Sequence, residues 1–262
     1  MKTTEHEKGI ISAVVKASDV LDCFTAEEPI LTLAQISAKI DLPKSSVLNL
    51  LRTLEHCDLL DRNEETKTYC LGYKTLTFRY TKLQALPIVQ HALPFLEDIQ
   101  QNTGKIVYFV ANVNGQALYL DAVYPGRRMT KYSVCGRVLP LHCTSVGKAI
   151  LAYLPQEEVD AILERWGMEP RTPQTITSRE ALYEELRQIR ERGYAVDNEE
   201  ETPGVRCIGV PIRNLDGYPT GAISISGTVL SITDAILPQY AELLSHACTA
   251  LSPMANQLRN GS

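Results

Sequence analysis

Apolar side chains near the start of the chain recur with the spacing of one helix face. They do so first over residues 12–26, and Pro29 ends this predicted helix. A second helix is predicted to begin at Thr32, because its hydroxyl can accept from an open amide while Gln35 reaches back, as in a Thr-x-x-Gln capping box. The pattern therefore predicts two short helices in succession.

A third helix is predicted over roughly residues 43–57. Pro43 is tolerated as its first residue, since that position needs no N–H donor. Two short segments, 59–62 and 68–71, then flank a polar turn and predict a β-hairpin. Three helices followed by a hairpin predict a winged helix-turn-helix domain over residues 1–72.

The periodicity changes in the second part of the chain. Residues 73–103 have a helical pattern, with breaks at Pro87 and Pro94, and form a predicted helical linker. Beyond it, Asn114-Gly115 marks a hairpin, and further strands alternate with helices. Antiparallel strand pairs with helices between them predict an α+β domain over residues 104–262. Its predicted strands are 105–113, 116–123, 130–138, 208–213 and 220–226, and its predicted helices are 145–154, 156–166, 178–192 and 234–258, the 178–192 helix beginning with a Thr177-x-x-Glu180 capping box.

Length and composition fit a two-domain protein of the cytoplasm. The chain has 262 residues, more than the roughly 100–200 of a typical domain, and 44% of them are hydrophobic. No apolar run approaches the ~18 residues that span a bilayer, and residues 1–10 lack a signal-peptide core, so we expect no membrane association. The net charge of −5 weighs mildly against nucleic-acid binding, although one locally basic face is sufficient for it.

The third predicted helix carries the candidate DNA-binding residues. Its outer face is polar, and a helix without large exposed apolar groups fits the major groove, which is about 12 Å wide. Side chains near the start of such a helix contact base edges, whereas Lys and Arg further along suit phosphates. The candidates are Ser45, Ser46 and Asn49 for bases, Lys44 and Arg52 for phosphates, Lys67 and Thr68 in the hairpin wing, and Gln35 in the preceding helix.

The alternative is a three-helix protein-interaction module whose polar face is only solvated. Acidic residues near the wing favour this alternative. They are Asp58, Asp61, Glu64 and Glu65.

Residues 12–80 resemble the N-terminal domain of the IclR family of bacterial transcription regulators. The segments that carry the resemblance are Leu33–Ser37, Leu42–Val47 and Leu51–Glu55. It continues to about residue 258 through Pro140–Ala149 and the stretch from Gly193 to Gly227. The chain departs from many members at Leu48-Asn49, where they carry an aromatic residue or His followed by Arg. The resemblance implies a GAF-like effector-binding domain after the linker, a homodimer or dimer of dimers, and a near-palindromic double-stranded DNA operator.

The candidate effector site combines two local patterns. A polar turn enters an apolar helix near Ser145, whose open amides suit a carboxylate, although the same pattern fits a core helix capped by Thr144 or Ser145. Ser224 and Ser226 share one strand face, which suits a small polar ligand or plain exposure to solvent. The resemblance implies a small organic effector, such as a carboxylate or sugar acid. Positions that match the family's pocket are Leu139, Ser145, Val146, Gly147, Asp197, Cys207, Ser224 and Ser226.

Three other interpretations remain open from the residues alone. Adjacent His142-Cys143 suggests a nucleophile pair, but neighbours in an extended segment point to opposite sides, so we expect no enzyme. Cys135, His142, Cys143 and Cys207 could hold a metal or respond to oxidants, yet they lack ligand-pair spacing, and we expect no metal or other cofactor. A DNA-binding scaffold that senses no ligand is the third.

Overall fold

The computed structural model describes residues 9–126 and 134–259 of the chain. The chain divides into two compact units, Met1–Ala85 and Leu86–Ser262. The range 73–103, expected to be a linker, contains one helix of each unit. Each unit is described by itself below.

The first unit contains four helices and a three-stranded antiparallel sheet within its described residues. The apolar spacing of Val47, Leu51 and Leu54 places one face of the third helix in a core that also contains Val20 and Ile36. The elements are α1 (Ser12–Asp22), β1 (Leu31–Thr32), α2 (Leu33–Lys39), α3 (Lys44–His56), β2 (Leu60–Asn63), β3 (Thr68–Leu71) and α4 (Lys74–Gln84).

The capping box at the start of α2 is present as predicted. Thr32 Oγ1 accepts from the Gln35 amide at 3.3 Å, and Gln35 Oε1 accepts from the Thr32 amide at 2.8 Å. Both bonds satisfy donors that the first turn of a helix leaves open. The box therefore determines where α2 begins.

Three details of the first unit differ from the prediction. Helix α1 ends at Asp22, because the amide of Phe24 bonds to the carbonyl of Leu21 in a tighter turn and its ring enters the core. Pro43 is the N-cap of α3 with an extended ψ of 138°, so the helix begins one residue later than expected. The two-residue strand β1 was not predicted, since it forms only by pairing with β3.

The second unit is built on a six-stranded antiparallel sheet with the order β6-β5-β4-β9-β8-β7. This confirms the α+β class. Helices α5 and α9 pack against each other and against β4 and β8, whereas α6 and α8 share an apolar cluster with the sheet. The elements are α5 (Pro87–Thr103), β4 (Ile106–Val113), β5 (Gln116–Val123), β6 (Val138–Pro140), α6 (Ser145–Leu151), α7 (Gln156–Trp166), α8 (Arg179–Arg192), β7 (Ala195–Asn198), β8 (Val205–Arg213), β9 (Pro219–Thr228), α9 (Leu237–Leu251) and a terminal 3-10 helix (Ser252–Leu258).

The second unit also corrects parts of the prediction. Residues 130–133 of the strand expected over 130–138 lie outside the described residues. Residues 134–137 form a turn instead of a strand, and the observed strand there is β6, which begins at Val138. Ser178, rather than Thr177, caps α8 by accepting from the amide of Ala181 at 3.2 Å. The last predicted helix changes to a 3-10 helix where Pro253 removes an N–H donor. Strand β7 was not predicted.

Replacing Thr32 by Ala should lower the local stability of α2 by about 1 kcal/mol, because the variant lacks the Oγ1 that accepts from the Gln35 amide. Amide hydrogen exchange of the full chain measures this free energy residue by residue. The control is Thr53→Ala, which removes a hydroxyl that only bonds the Asn49 carbonyl of its own helix. Equal protection of α2 in both variants would contradict the importance of the box.

Candidate functional site

The third helix of the first unit presents a polar face to solvent. Val47, Leu51 and Leu54 are buried, so the opposite side of α3 is free of core contacts. The five residues predicted on the outer face are all exposed: Lys44, Ser45, Ser46, Asn49 and Arg52. A helix with this division can enter a groove without exposing its core.

The turn between α2 and α3 is held by a side chain of α2. Ser37 Oγ donates to the carbonyl of Leu42 at 2.6 Å, and the Leu42 amide donates to the carbonyl of Ser37 at 3.3 Å. Asp41 takes a left-handed conformation, with φ of 49°, that allows the sharp change of direction. These contacts hold the turn that sets the angle between α2 and α3.

The hairpin turn carries charges of both signs. Lys67 Nζ lies 2.9 Å from Glu64 Oε2, and Arg62 lies 3.2 Å from the other oxygen of the same carboxylate. Thr68 bonds Thr66 through its hydroxyl. A phosphate that approaches Lys67 therefore has to compete with Glu64. Among the residues predicted for DNA contact, Gln35 is also engaged, because its Oε1 belongs to the capping box.

The second unit contains a cavity of about 430 Å³ between β4, β5, β8, β9 and the start of α6. Six of the eight predicted effector positions line it: Leu139, Ser145, Asp197, Cys207, Ser224 and Ser226. The structure thus brings together residues from distant parts of the sequence.

Val146 and Gly147 do not line this cavity. The Val146 side chain is buried in the apolar cluster of the unit. The Gly147 amide, expected to be open, donates to Thr144 Oγ1 at 3.1 Å, so Thr144 is the N-cap of α6. A Cβ on Gly147 would lie 2.3 Å from Leu141 backbone atoms, and this close approach explains the glycine.

The sheet positions the polar wall of the cavity. Ser224 pairs with Tyr108 across β4, and Ser226 pairs with Cys207 across β8, whose thiol donates to Ser226 Oγ at 3.1 Å. Partners directly opposite each other in a ladder point to the same face. The serine face of β9 therefore continues onto both neighbouring strands.

A second glycine brings the start of α6 against the sheet. A Cβ on Gly209 of β8 would lie 2.8 Å from the carbonyl of Ser145. The helix start can approach β8 closely only because this side chain is missing. Its position in mid-strand was the sequence signal for such an approach.

An unusual carboxyl group lies in the cavity wall. Asp197 is 3% exposed, and its Oδ1 accepts from the Glu200 amide at 2.8 Å. Burial raises the pKa of Asp197 from 3.8 to about 7, and the negative charge of Glu200 contributes. The carboxyl group is therefore present in both protonation states near neutral pH.

A buried ion pair supports the wall behind Asp197. Lys148 of α6 is 1% exposed and donates to Glu200 Oε1 at 2.5 Å. Glu185 of α8 lies 3.7 Å from the same ammonium group and also pairs with Arg192 at 2.6 Å. The pKa of Glu200 is nevertheless raised, chiefly by burial.

Sequence reasoning missed an aromatic group and a cation in the lining. Tyr108 packs edge-to-face against Tyr119 and Tyr124, with ring centroids 5.3 and 6.4 Å away. Arg137 stands near Glu201, 3.8 Å apart. The pairing of Tyr108 with Ser224 is the signal for the aromatic group, but it exists only once β4 and β9 are neighbours.

His142 and Cys143 do not form a reactive pair, which would need a thiol of lowered pKa beside a basic group. His142 Nε2 lies 3.1 Å from the carbonyl of Glu169, and burial lowers its pKa. Burial raises the pKa of Cys143 to about 12, and also raises that of Cys207. Both thiols therefore stay protonated at neutral pH.

Within 9–126 and 134–259, no three His, Cys, Asp or Glu side chains form a metal-binding group. None of the helices in the same ranges is long and apolar enough to cross a bilayer.

Comparisons with known proteins point to one family over both units. The profile of the "IclR helix-turn-helix domain" matches residues 13–64, and that of "Bacterial transcriptional regulator IclR C-terminal" matches residues 80–253. The HTH-type transcriptional regulator XynR of Escherichia coli is 35% identical over 243 residues, which cover 93% of this chain and 96% of XynR.

Solved structures share the fold. The crystal structure of the Thermotoga maritima IclR is 32% identical, with a TM-score of 0.68, and the match covers 92% of this chain and 97% of that one. An IclR homologue from Microbacterium hydrocarbonoxydans, crystallised with 4-hydroxybenzoate, is 21% identical with a TM-score of 0.77, over 93% of this chain and 99% of that one.

Replacing Asp197 by Asn should change how stability depends on pH. The pKa of the folded state lies above that of the unfolded chain, so the folded protein holds a proton that the unfolded chain releases, and raising the pH through this window destabilises the fold. We expect the free energy of unfolding of the native protein, relative to Asp197→Asn, to fall between about pH 4 and about pH 7.

Urea unfolding at several pH values measures this difference. Asp98→Asn, an exposed change on α5, is the control and should leave the dependence unaltered. A constant difference between native protein and Asp197→Asn over this range would contradict the raised pKa.

Proposed function

The chain belongs to the IclR family of bacterial transcriptional regulators, and from this premise we propose how its parts divide the work. It is a ligand-responsive, DNA-binding transcription regulator of the helix-turn-helix type. Residues 1–72 form the DNA-binding domain, 73–103 transmit the signal, and 104–262 bind the effector. The regulator acts as a repressor in the cytoplasm, without enzymatic activity.

Helix α3 enters the major groove of double-stranded DNA. The observation that carries this proposal is its exposed polar face opposite a fully buried apolar one. Ser45, Ser46 and Asn49 lie close enough to the helix start to contact base edges, and Asn49 can bond adenine through two hydrogen bonds. Lys44 and Arg52 contact phosphates, as do Gln35, Lys67 and Thr68 from α2 and the wing.

A homodimer places two such helices on a near-palindromic operator. None of the residues Lys74–Gln84 of α4 is buried within the unit, and Leu76 and Phe78 are more than half exposed. An isolated 11-residue helix is marginal in water, so α4 needs a further surface to pack against. The start of α1 adds exposed Ile11 and Val14. We assign both surfaces to dimer contacts, and the dimer can pair again into a dimer of dimers.

The cavity of the second unit takes a small organic acid or sugar acid. Its volume of about 430 Å³ falls within the usual range for small-molecule sites. Ser224 and Ser226 offer hydroxyls beside the tyrosine rings, so a ligand with both polar and flat parts fits. The 4-hydroxybenzoate of the Microbacterium homologue is a molecule of this class. The raised pKa values of the Cys143 and Cys207 thiols favour this interpretation over a redox sensor, because a protonated thiol reacts poorly.

Arg52→Ala should weaken binding to all DNA sequences alike and reduce the slope of log affinity against log salt by about 1. Asn49→Ala should instead change which operator is preferred. Binding to a genomic fragment library at several salt concentrations measures both. Glu97→Gln on α5 is the control, with no effect expected. An unchanged site preference in Asn49→Ala would remove Asn49 from the base contacts.

Ser224→Ala and Ser226→Ala should each reduce effector affinity by about fivefold, because a hydrogen bond between uncharged groups contributes about 1 kcal/mol. A thermal-shift screen of sugar acids, keto acids and aromatic acids finds the ligand, and DNA titration with each hit follows. The control is Ser252→Ala, whose hydroxyl bonds the carbonyl of Arg213 outside the cavity. A screen in which no acid shifts the melting temperature or the DNA affinity would favour a scaffold that senses nothing.

A further inference from the structure

The cavity contains one cation among its described lining residues, Arg137. Its ion-pair partner is Glu201, another lining residue, at 3.8 Å, which is beyond hydrogen-bonding distance. The Arg137 side chain is 51% exposed and that of Glu201 is 17% exposed. The guanidinium is therefore held only loosely and stays accessible from the cavity.

The backbone at Arg137 is held firmly, in contrast with its side chain. Its carbonyl accepts from the Tyr119 amide at 2.9 Å, and its own amide donates to the carbonyl of Val134 at 2.8 Å. The adjacent Gly136 amide bonds the Tyr119 carbonyl at 2.8 Å. The backbone of Arg137 is thus anchored beside β5, while its guanidinium is free to change partner.

The Glu201 carboxylate has a second hydrogen-bond partner, which holds it in place when Arg137 binds a ligand instead. The Thr202 hydroxyl donates to its carboxylate. The neighbouring chain is tied down independently, since the Gly204 amide donates to Glu199 Oε2 at 2.7 Å and Thr175 donates to the Glu200 carbonyl at 2.6 Å. Loss of the Arg137 contact therefore leaves the segment 199–204 folded.

The charges of the lining determine what kind of ligand this arrangement accepts. An anion placed in the cavity meets two acidic residues, Asp197 and Glu201, and only Arg137 among the described lining residues attracts it. An arginine guanidinium can bind one carboxylate through two parallel hydrogen bonds. The single 3.8 Å contact with Glu201 leaves this bidentate geometry open to a ligand.

We propose that Arg137 anchors the anionic group of the effector and that Glu201 holds the guanidinium until the ligand replaces it. This inference rests on the proposed effector-binding function and adds its charge selectivity. The accepted ligand carries one negative charge at its Arg137 end and uncharged hydroxyl or aromatic groups elsewhere. A second carboxylate is disfavoured, because no further cation among the described lining residues offsets its charge.

The test uses full-length protein and three acids with their neutral amides. The acids are gluconate, 2-oxobutanoate and 4-hydroxybenzoate, and binding is measured by calorimetric titration and by thermal shift. We expect native protein to bind at least one acid about tenfold more tightly than its amide. Arg137→Gln should lose this preference by binding the acid about tenfold more weakly and the amide unchanged.

Glu201→Gln should bind the same acid several-fold more tightly, because the competing carboxylate is gone. This gain keeps the proposal testable should Arg137→Gln fail to fold. The matched control is Arg179→Gln, since Arg179 is similarly exposed and pairs with Asp160 at 3.0 Å outside the cavity.

Three results would overturn the anchor: equal affinity for acid and amide in native protein, unchanged acid affinity in Arg137→Gln, or no binding of any of the three acids to native protein or Glu201→Gln. A ligand that shifts DNA affinity equally in native protein and Arg137→Gln would remove the anchor but leave the regulator function standing. An acid that binds without affecting DNA affinity would instead contradict the sensing function.

Discussion

The buried ion pair of Lys148 and Glu200 is the interaction on which the geometry of the cavity depends. Both charges are withdrawn from water, so each needs the other, and removing one partner of such a pair costs about 3–5 kcal/mol. The backbone of Glu200 also binds Asp197 and Thr175. Helix α6, strand β7 and the segment 199–204 are therefore joined at one residue, and all three contribute residues to the cavity wall.

A steric constraint acts together with this pair. The start of α6 reaches the sheet only because Gly209 leaves room for the carbonyl of Ser145, and Gly147 leaves room for the backbone of Leu141. The first turn of α6 is therefore packed against its neighbours, and its Gly147 amide is satisfied by Thr144. Side chains of the strands and Arg137 supply most of the polar groups that line the cavity.

Local features of the chain were predictable because they depend on residues a few positions apart. The capping box of Thr32 and Gln35, the polar face of α3 and the shared face of Ser224 and Ser226 follow from caps and from periods of 3.6 and 2 residues. Features that depend on distant pairing were missed. They are β1, β7, the tyrosine group, Arg137 and the inward direction of Val146.

The amino-acid sequence by itself determined the class of fold, the exposed polar face of α3 and six of the residues that line the cavity, since each follows from local patterns or from resemblance to a family. Only the tertiary structure decided which of these residues meet. Ser145, Asp197 and Ser224 come from three separate elements, and the charge balance around them depends on Arg137 and Glu201, 64 positions apart in numbering yet 3.8 Å apart in space. Contacts of that kind are set by sheet order and burial, which no short stretch of sequence encodes.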